Sequence, residues 1–250
     1  MADSLFVALD VGNSETTAGL FRGEELVVVR RIATRRLPRE WSRLLAPLAD
    51  QGVTGVGAAV VVPQLEPSLQ QACRELWGRG PLLVSPTTAG ILLGYADPAQ
   101  LGADRLAGVA GALECCPPPL IVVDLGTAVT LDAVSATGEF LGGAILPGPS
   151  LAAACLHRGT ARLPQVELLA PERAIGRDTS EGIRSGVLWG TAAAVDALVC
   201  RFREELGGEA TVLATGGWAR QLAPWCSGLD RVEEHLVLRG IRAVEGRYRV

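Results

Sequence analysis

The most informative absence in this sequence of 250 residues is lysine. The chain contains none, so all 23 of its basic residues are arginines. This absence excludes a P-loop with its phosphate-contacting lysine, a Schiff-base enzyme and an ATP site of the protein-kinase type. Any phosphate chemistry in this chain must therefore use glycine turns, hydroxyl groups, helix N-termini, arginine and metal ions.

Histidine, paired cysteine and excess positive charge are also scarce. Two histidines and six cysteines without a CxxC spacing favour neither a zinc site nor a disulfide framework. They fit a reducing cytoplasm in which the cysteines serve as small buried hydrophobic residues. The net charge of −4, without a run of basic residues, argues against a nucleic-acid partner. Because no stretch approaches 18 uncharged apolar residues and no leader peptide is recognisable, we expect a cytoplasmic protein without a membrane partner.

A motif near the N-terminus occurs a second time in the middle of the chain. In "LFVALDVGNS" an apolar run delivers Asp10 into a turn of glycine and small polar residues, and "LIVVDLGTAVT" does the same with Asp124. Each copy continues into a predicted hairpin, whose turn glycines, Gly23 and Gly138, lie 13 and 14 residues beyond the aspartates. The copies are 114 residues apart, too long a period for a solenoid. The sequence therefore predicts two similar lobes with a cleft between them.

The other hydrophobic patterns predict strands that alternate with helices, which is typical of mixed β-sheets with flanking helices. Apolar residues at helical spacing predict a helix over 38–52, and the stretch 178–208 predicts one long helix with a capping box at its start. Proline-rich residues 117–119 mark the predicted lobe boundary. We expect an N-terminal lobe over 1–117 and a C-terminal lobe over 118–250.

The paired loops have a composition that suits phosphate. A glycine turn after a strand exposes backbone N–H groups, and neighbouring serine or threonine adds hydroxyl donors. A carboxylate at the strand end would repel phosphate unless a cation lies between them, so Asp10 and Asp124 are interpreted as groups that organise metal ions. One such turn would be common in any protein. Two matching copies and a third glycine turn at 214–217 favour a phosphate clamp.

Two helix starts carry a second set of candidates. Asp104 and Arg105 open a helix, where a carboxylate is also favoured simply by the helix dipole. In a functional role, Asp104 would accept a proton from an attacking hydroxyl and Arg105 would hold an anionic substrate group. Thr179 is either the N-cap of its helix or a substrate contact. His157 and His235 belong to no pattern and are expected to be structural.

Eight segments resemble a known kinase family. The paired loops and the glycine turn are similar to those of the acetate and sugar kinase, Hsp70 and actin superfamily, whose actin-like ATPase (ribonuclease H-like) fold holds the nucleotide in the cleft between two duplicated lobes. Within it the chain resembles type III pantothenate kinase, a bacterial enzyme that phosphorylates the primary hydroxyl of pantothenate in the first step of coenzyme A synthesis. The segments that carry the resemblance, in family order over nearly the whole chain, are "DVGNS" (10–14), "YADPAQLGADR" (95–105), "DLGTAVTLD" (124–132), "GGAILPG" (142–148), "TARLP" (160–164), "IGRDTSEGIRSG" (175–186), "ATGG" (214–217) and "HLVLRGIR" (235–242).

The resemblance implies a role for each matching residue. Asp104 would be the general base, and Asp124 would help to hold the monovalent cation, potassium or ammonium, that the family requires. The residues that would bind ATP, used with Mg²⁺, are Asp10, Val11, Gly12, Asn13, Ser14, Glu15, Thr16, Thr17 and Thr127. The residues that would contact pantothenate are Tyr95, Gly102, Ala103, Asp104, Arg105 and Thr179. The resemblance also implies a homodimer with pantothenate near the subunit interface.

The sequence departs from the family pattern at three points. Residues 58–63 read "AAVVVP" where the family usually has serines, Pro149 follows a glycine where the family tends to have isoleucine or methionine, and Glu15 adds a carboxylate beside the first loop. None of these departures removes a residue that is assigned to the chemistry.

Two alternative functions are compatible with the same superfamily. One is a regulator of the Bvg accessory factor type, and the other is a kinase for a different small alcohol such as a sugar, or for acetate. Retention of Asp104, Asp124 and Thr127 argues against a chain that has lost catalysis. The "GADR" segment together with Thr179 favours pantothenate over other substrates.

Overall fold

The structure is a computed structural model that describes residues 4–49 and 52–248. The chain divides into two compact units, both mixed α/β as predicted. Unit 1 comprises Met1–Cys115 together with His235–Val250, and unit 2 comprises Cys116–Glu234.

The observed division differs from the predicted lobes at the C-terminus. The predicted boundary at 117/118 lies close to the observed one, but the predicted C-terminal lobe of 118–250 included the last helix, which belongs to unit 1. Residues 1–3 and 249–250 of the predicted lobes lie outside the described residues. The sequence offered no boundary signal for this return, because the helix is joined to unit 2 without a proline- or glycine-rich linker.

Unit 1 is built on a mixed sheet in the order β3-β2-β1-β4-β5. The first three strands form antiparallel pairs, whereas β4 is parallel to β1 and β5 to β4. The strands are β1 (Leu5–Val11), β2 (Glu15–Arg22), β3 (Glu25–Ala33), β4 (Val53–Val60) and β5 (Leu82–Leu83), followed in the chain by the short β6 (Leu92–Leu93). The helices are α1 (Trp41–Leu45), α2 (Glu66–Trp77), α3 (Ala103–Cys115) and α7 (Leu236–Tyr248).

Side chains of β1 alternate between two buried faces of this sheet. Val7, Leu9 and Val11 belong to a hydrophobic cluster that includes residues of α1 and α2. Phe6 lies on the opposite face, which α3 and α7 cover. Because strand residues two apart share a face, Asp10 lies on the face that α3 and α7 cover.

Unit 2 repeats the arrangement with a second mixed sheet. Its own strands run in the order β11-β10-β7-β8-β9, with β7, β8 and β9 antiparallel and β10 and β11 parallel to β7. The strands are β7 (Leu120–Leu125), β8 (Ala128–Val134), β9 (Glu139–Pro147), β10 (Thr211–Thr215) and β11 (Arg231–Val232). The helices are α4 (Pro149–Gly159), α5 (Thr179–Glu205) and α6 (Ala219–Leu222).

The predicted duplication is confirmed and extends beyond the two hairpins. Strands β1 to β5 of unit 1 correspond in order and direction to β7, β8, β9, β10 and β11 of unit 2. The hairpin turns use glycines in the left-handed region, with φ of 59° at Gly23 and 81° at Gly138. The parallel strands of each sheet, which the hairpin spacing did not reveal, complete the repeat.

The long helix α5 begins and ends as predicted. The Asp178 carboxylate accepts a hydrogen bond from the Glu181 N–H at 2.8 Å, and the Glu181 carboxylate accepts one from the Arg177 N–H at 2.8 Å. This is a capping box displaced by one residue at its second bond. The helix ends before Gly207, whose φ of 88° terminates it.

Among the described residues, α5 is also the one helix long and apolar enough, by length and composition, to cross a membrane. Core helices of soluble proteins pass the same test. Leu188, Val195 and Val199 of α5 are buried in a hydrophobic cluster with β7, β8 and β10. Packing onto the sheet of unit 2 therefore accounts for the hydrophobicity of this face of the helix.

Two expectations about local structure need correction. The helix predicted over 38–52 is reduced to the five residues of α1 and a 3₁₀ turn at Ala46–Leu48, because Pro47 has no N–H to continue the α-helical ladder; residues 50–51 lie outside the described residues. The cysteines are free but not uniformly buried, since Cys155 and Cys200 are exposed.

Helix α7 joins unit 1 through direct contact of its backbone with α3. A Cβ atom at Gly240 would overlap the carbonyl oxygen of Ala107, and one at Gly111 would lie 2.5 Å from the carbonyl oxygen of Leu236. Both obstacles are backbone atoms, which cannot move aside as a side chain can. The close crossing of the two helices therefore requires glycine at both positions.

We expect Gly240→Ala to lower the free energy of unfolding by about 1–3 kcal/mol, because the new methyl group forces α7 away from α3. Gly246→Ala on the same helix is the matched control. Among residues 4–49 and 52–248, no atom outside the adjacent helix backbone lies within 4 Å of the Cβ position of Gly246, so alanine there should raise the free energy of unfolding by up to about 1 kcal/mol. Urea unfolding measures both. Equal effects of the two substitutions would contradict the close crossing.

Candidate active site

The first aspartate loop turns directly at the end of β1. The Gly12 N–H donates a hydrogen bond to the Glu15 carbonyl at 3.1 Å. A Cβ atom on Gly12 would come within 2.8 Å of that oxygen, so the tight turn excludes a side chain there. The side chains of Asn13 and Ser14 at the tip of the turn are exposed. The loop thus presents small polar groups beyond the half-buried Asp10.

The structure separates the predicted ATP-binding residues into two groups. Val11 and Thr16 are completely buried, with 0% exposure. The Val11 side chain belongs to the core cluster, and the Thr16 hydroxyl lies 2.9 Å from the hydroxyl of Thr34. These two side chains therefore contact protein. The exposed or half-buried members of the set are Asp10, Gly12, Asn13, Ser14, Glu15, Thr17 and, in the second loop, Thr127.

The second aspartate, Asp124, lies between two glycine turns of unit 2. A Cβ atom on Gly216 would overlap its Oδ1 atom, and one on Gly126 would lie 3.1 Å from the same atom. Gly216 has a φ of 95°, in the region that only glycine adopts readily. The "ATGG" turn and the second loop are therefore adjacent, and the absence of side chains on both glycines makes room for the carboxylate between them.

Oxygen-bearing side chains flank Asp124 in the sheet. Its register partners are Thr130 on β8 and Thr215 on β10. The described residues contain no group of three or more His, Cys, Asp or Glu side chains that could hold a metal ion. A single carboxylate with neighbouring hydroxyl oxygens fits a weakly held cation that keeps other oxygen ligands, rather than an all-protein cage for a divalent ion.

Asp132 is a buried carboxyl group that sequence reasoning did not single out. It is 2% exposed, and its Oδ2 accepts a hydrogen bond from the Thr130 hydroxyl at 3.3 Å. Because Asp132 is two residues after Thr130 on β8, both lie on the same face of the sheet as Asp124. The alternation of polar residues along β8 is the signal that could have identified it.

Asp104 lies in the first turn of α3, where Gly102 shapes its position. A Cβ atom on Gly102 would lie 2.5 Å from Asp104 Oδ1, so only glycine permits this rotamer. The same oxygen accepts a hydrogen bond from the Arg105 N–H at 2.8 Å. Burial raises the pKa of Asp104 above its usual value, while the Arg105 N–H and the Arg105 guanidinium act in the opposite direction. A carboxylate with raised proton affinity suits a general base.

Arg105 is anchored beside Asp104. It is 9% exposed, and its guanidinium carbon lies 6.0 Å from the centre of the Tyr95 ring, a cation–π distance. Unit 1 thus brings together four of the predicted substrate residues, Tyr95, Gly102, Asp104 and Arg105, at the N-terminus of one helix, with Ala103 as its first residue.

Thr179 is not the N-cap of α5. Asp178 occupies the cap position and uses its side chain for it, so the alternative interpretation of Thr179 as a cap is wrong. Thr179 is exposed and lines a largely apolar groove of about 770 Å³ with residues of α4, α5, β8 and β9. His157 has a local contact, since its Nδ1 lies 2.9 Å from the Leu163 carbonyl oxygen.

Comparison with known proteins finds one family over most of the chain. A family model described as type III pantothenate kinase matches residues 6–201. The chain is 42% identical to a type III pantothenate kinase of Thermus thermophilus over 245 residues, which cover 95% of this chain and 97% of that protein. It is 38% identical to a type III pantothenate kinase of Moorella thermoacetica over 249 residues, which cover 96% of this chain and 98% of that protein.

Solved structures show the same fold at low sequence identity. A protein from Campylobacter jejuni described as a Baf family transcriptional activator has a TM-score of 0.62 at 20% identity, covering 96% of this chain and 98% of that one. An inorganic polyphosphate/ATP-glucomannokinase from Arthrobacter sp. strain KM has a TM-score of 0.54 at 13% identity, covering 99% and 100%. At this level of identity the similarity shows only the fold, which is of the actin-like ATPase and sugar-kinase type.

Proposed function

This chain belongs to the type III pantothenate kinase family, and from that membership we propose that it transfers the γ-phosphoryl group of ATP to the primary hydroxyl of pantothenate, the first step of coenzyme A synthesis. The observation that carries the proposal is the carboxyl group of Asp104: burial raises its pKa, and the absence of a side chain on Gly102 makes room for its rotamer. We also propose a cytoplasmic location, which suits its free cysteines and which cell fractionation would test.

Asp104 would act as the general base. As the pantothenate oxygen bonds to phosphorus and the bond to the ADP oxygen breaks, the hydroxyl proton passes to the Asp104 carboxylate. Arg105 would pair with the pantothenate carboxylate, for which a planar guanidinium offers two parallel hydrogen bonds. Its packing against Tyr95 would orient the guanidinium before substrate binds.

The two aspartate loops would bind the phosphates of ATP. Asn13, Ser14 and Thr127 are exposed at the loop tips, where hydroxyl, amide and backbone N–H groups suit phosphate oxygens. Val11 and Thr16 would support the first loop from inside the unit, because their side chains are buried. Mg²⁺, when bound with ATP, supplies neutralisation of phosphate charge, and Asp10 would help to place it.

The first experiment is a coupled assay of ADP release with ATP and Mg²⁺, with and without pantothenate. We expect release of ADP to depend on pantothenate. Binding of ATP without pantothenate-dependent turnover would contradict the proposal, and turnover with a sugar or acetate in its place would assign the alternative substrate.

In the same assay, Asp104→Asn should lower turnover by about 10²-fold or more, because the amide cannot accept the proton. Binding of ATP should persist, since no phosphate contact is assigned to this side chain.

The wild-type kcat/KM for pantothenate should fall as pH is lowered through the raised pKa of Asp104, that is, at a pH above the usual aspartate value of about 3.9. Loss of ATP affinity equal to the loss of turnover would refute the assignment.

We further propose that Asp124 binds the activating monovalent cation, potassium or ammonium. Threonines lie on both sides of it in the sheet, whereas its counterpart Asp10 has Thr17 on one side and Ala59 on the other. Oxygen donors on both flanks favour a cation at the second aspartate rather than at the first.

Asp124→Asn keeps the size of the side chain and removes its charge. We expect the potassium concentration that half-maximally tightens ATP binding to rise by about tenfold, because the cation loses a charged ligand. Calorimetric titration of ATP at several potassium concentrations, at constant ionic strength with sodium, measures this. Asp10→Asn is the matched control and should weaken ATP binding without moving the potassium midpoint. A potassium response that is equal in both variants would exclude the assignment.

The groove beside α5 supports a further proposal, that the chain forms a homodimer. Gly182, Gly186 and Gly190 follow one another at four-residue spacing on this face of α5, and all three are exposed. Within the described part of the chain, no atom outside the adjacent helix backbone lies within 4 Å of the Cβ position of any of the three. Each glycine costs a helix about 1 kcal/mol relative to alanine, and no packing among the described residues requires glycine at these three positions. Close approach of a second copy of the chain would require it.

The proposed interface also fits the substrate assignment. Thr179 lines the same groove as the three glycines, so a second copy seated there would border the residue assigned to pantothenate. Exposed Leu156 of α4, which also lines the groove, adds apolar surface there, as a homodimer interface favours.

Gly186→Leu should convert the dimer into a monomer, because its side chain would fill the space a second backbone needs. Sedimentation velocity measures the change. Gly246→Leu is the control, because Gly246 lies on α7 with space around its Cβ position, and this substitution should leave the oligomeric state unaltered. A wild-type chain that sediments as a monomer, or a Gly186→Leu variant that stays dimeric, would rule out this interface.

A further inference from the structure

The first aspartate loop has its carbonyl oxygens engaged on the protein side. The Gly12 carbonyl accepts a hydrogen bond from the Thr34 hydroxyl at 2.7 Å, and the Ser14 carbonyl accepts one from the Thr34 N–H at 2.9 Å. The Glu15 carbonyl accepts the Gly12 N–H. Three carbonyl groups in the four residues 12–15 are thus held by the protein, and Thr34 alone holds two of them.

The direction of the hydrogen bond between the hydroxyl groups of Thr16 and Thr34 follows from the number of protons available. A hydroxyl carries one proton, and a carbonyl can only accept. Since Thr34 donates to the Gly12 carbonyl, the Thr16 hydroxyl, 2.9 Å away, must donate to Thr34 Oγ1. The order of donation is therefore Thr16 to Thr34 to Gly12. Thr16 and Thr34 are 0% and 5% exposed, so the two threonine side chains that donate these bonds are shielded from water.

The consequence concerns electrostatics at the loop surface. A carbonyl oxygen carries partial negative charge and repels a phosphate oxygen, while an N–H attracts it. A glycine turn can rotate its peptide planes with little steric cost, so it does not by itself decide which of the two groups faces a ligand. Fixing the carbonyls of Gly12 and Ser14 towards Thr34 removes that freedom.

We propose that Thr34 is a positioning residue for phosphate binding: from outside the aspartate motif, it keeps the carbonyl groups of Gly12 and Ser14 turned away from the phosphates of ATP. The inference rests on the proposed function, because it assumes that ATP is the ligand of the first loop. Thr34 itself contacts no ligand in this role. It acts through the orientation of two peptide groups.

Threonine suits this role better than another side chain of similar size would. Thr34 directly follows the last residue of β3, which pairs with Glu15 of β2. Its backbone N–H extends the ladder to Ser14, while its short side chain turns back to Gly12. Valine at this position would keep the volume and the N–H but would lose both hydroxyl bonds.

The test is calorimetric titration of the full-length protein with ATP and Mg²⁺, and separately with pantothenate. Thr34→Val should raise the Kd for ATP about tenfold, because the Gly12 peptide is released, and Thr34→Ser should restore the affinity to within about threefold of wild type. The affinity for pantothenate should be unchanged. Thr34→Ala, with the same expectation for ATP, serves as a second variant if Thr34→Val does not fold.

Thr54→Val is the matched control. The Thr54 hydroxyl also donates to a β1 residue, the Leu5 carbonyl at 3.1 Å, but at the opposite end of the strand. It should lower thermal stability without altering the Kd for ATP. If Thr34→Val and Thr34→Ala bind ATP as tightly as wild type, or lose no more affinity than Thr54→Val, the inference fails and the proposed function stands. A wild-type chain that binds no ATP would overturn both.

Discussion

The close contact between the backbones of α3 and α7 is possible only because glycine stands at the crossing point of each helix. Much of unit 1 depends on this contact. Gly111 and Gly240 bring the two helices into contact on the same face of the sheet as Asp10. The first turn of α3 then carries Asp104 and Arg105, and Gly102, directly before the helix, leaves room for the Asp104 carboxylate. The position of the proposed base is therefore set by a contact near the other end of its own helix, with a segment more than 100 residues later in the chain.

Duplication supplied two equivalent loops, and small differences around them separate their proposed roles. Both aspartates face a threonine across their hairpin, but the parallel strand on the other side provides Ala59 next to Asp10 and Thr215 next to Asp124. The first loop is supported by buried hydroxyl groups behind it, whereas the second is closed by the glycines that surround its carboxylate. The same repeated arrangement thus gives a turn held by buried hydroxyl groups in unit 1 and a carboxylate packed between glycines and flanked by threonines in unit 2.

The sequence predicted those turns and helix ends whose structure depends on residues close together along the chain. The hairpins around Gly23 and Gly138 and the capping box of α5 follow from turn chemistry and spacing, and the structure has them. The return of α7 to unit 1 and the bonds of Thr34 could not be predicted in this way, because each depends on residues that approach only after folding. The burial of Thr16 was missed for a similar reason: a threonine in a polar loop gives no local sign that its hydroxyl points inward. The shortening of the helix after residue 38 was predictable in principle, since Pro47 is visible in the sequence.

The discontinuity of unit 1 has a consequence for the order of events during synthesis. Unit 2 lies within the sequence of unit 1, so a growing chain contains all the residues of unit 2 before it contains α7. Domains fold as units as they emerge from the ribosome, and here the unit that starts first is the one that finishes last. Until α7 is made, the helix that carries Asp104 lacks its partner, so the proposed base is placed only after all of unit 2 has been synthesised.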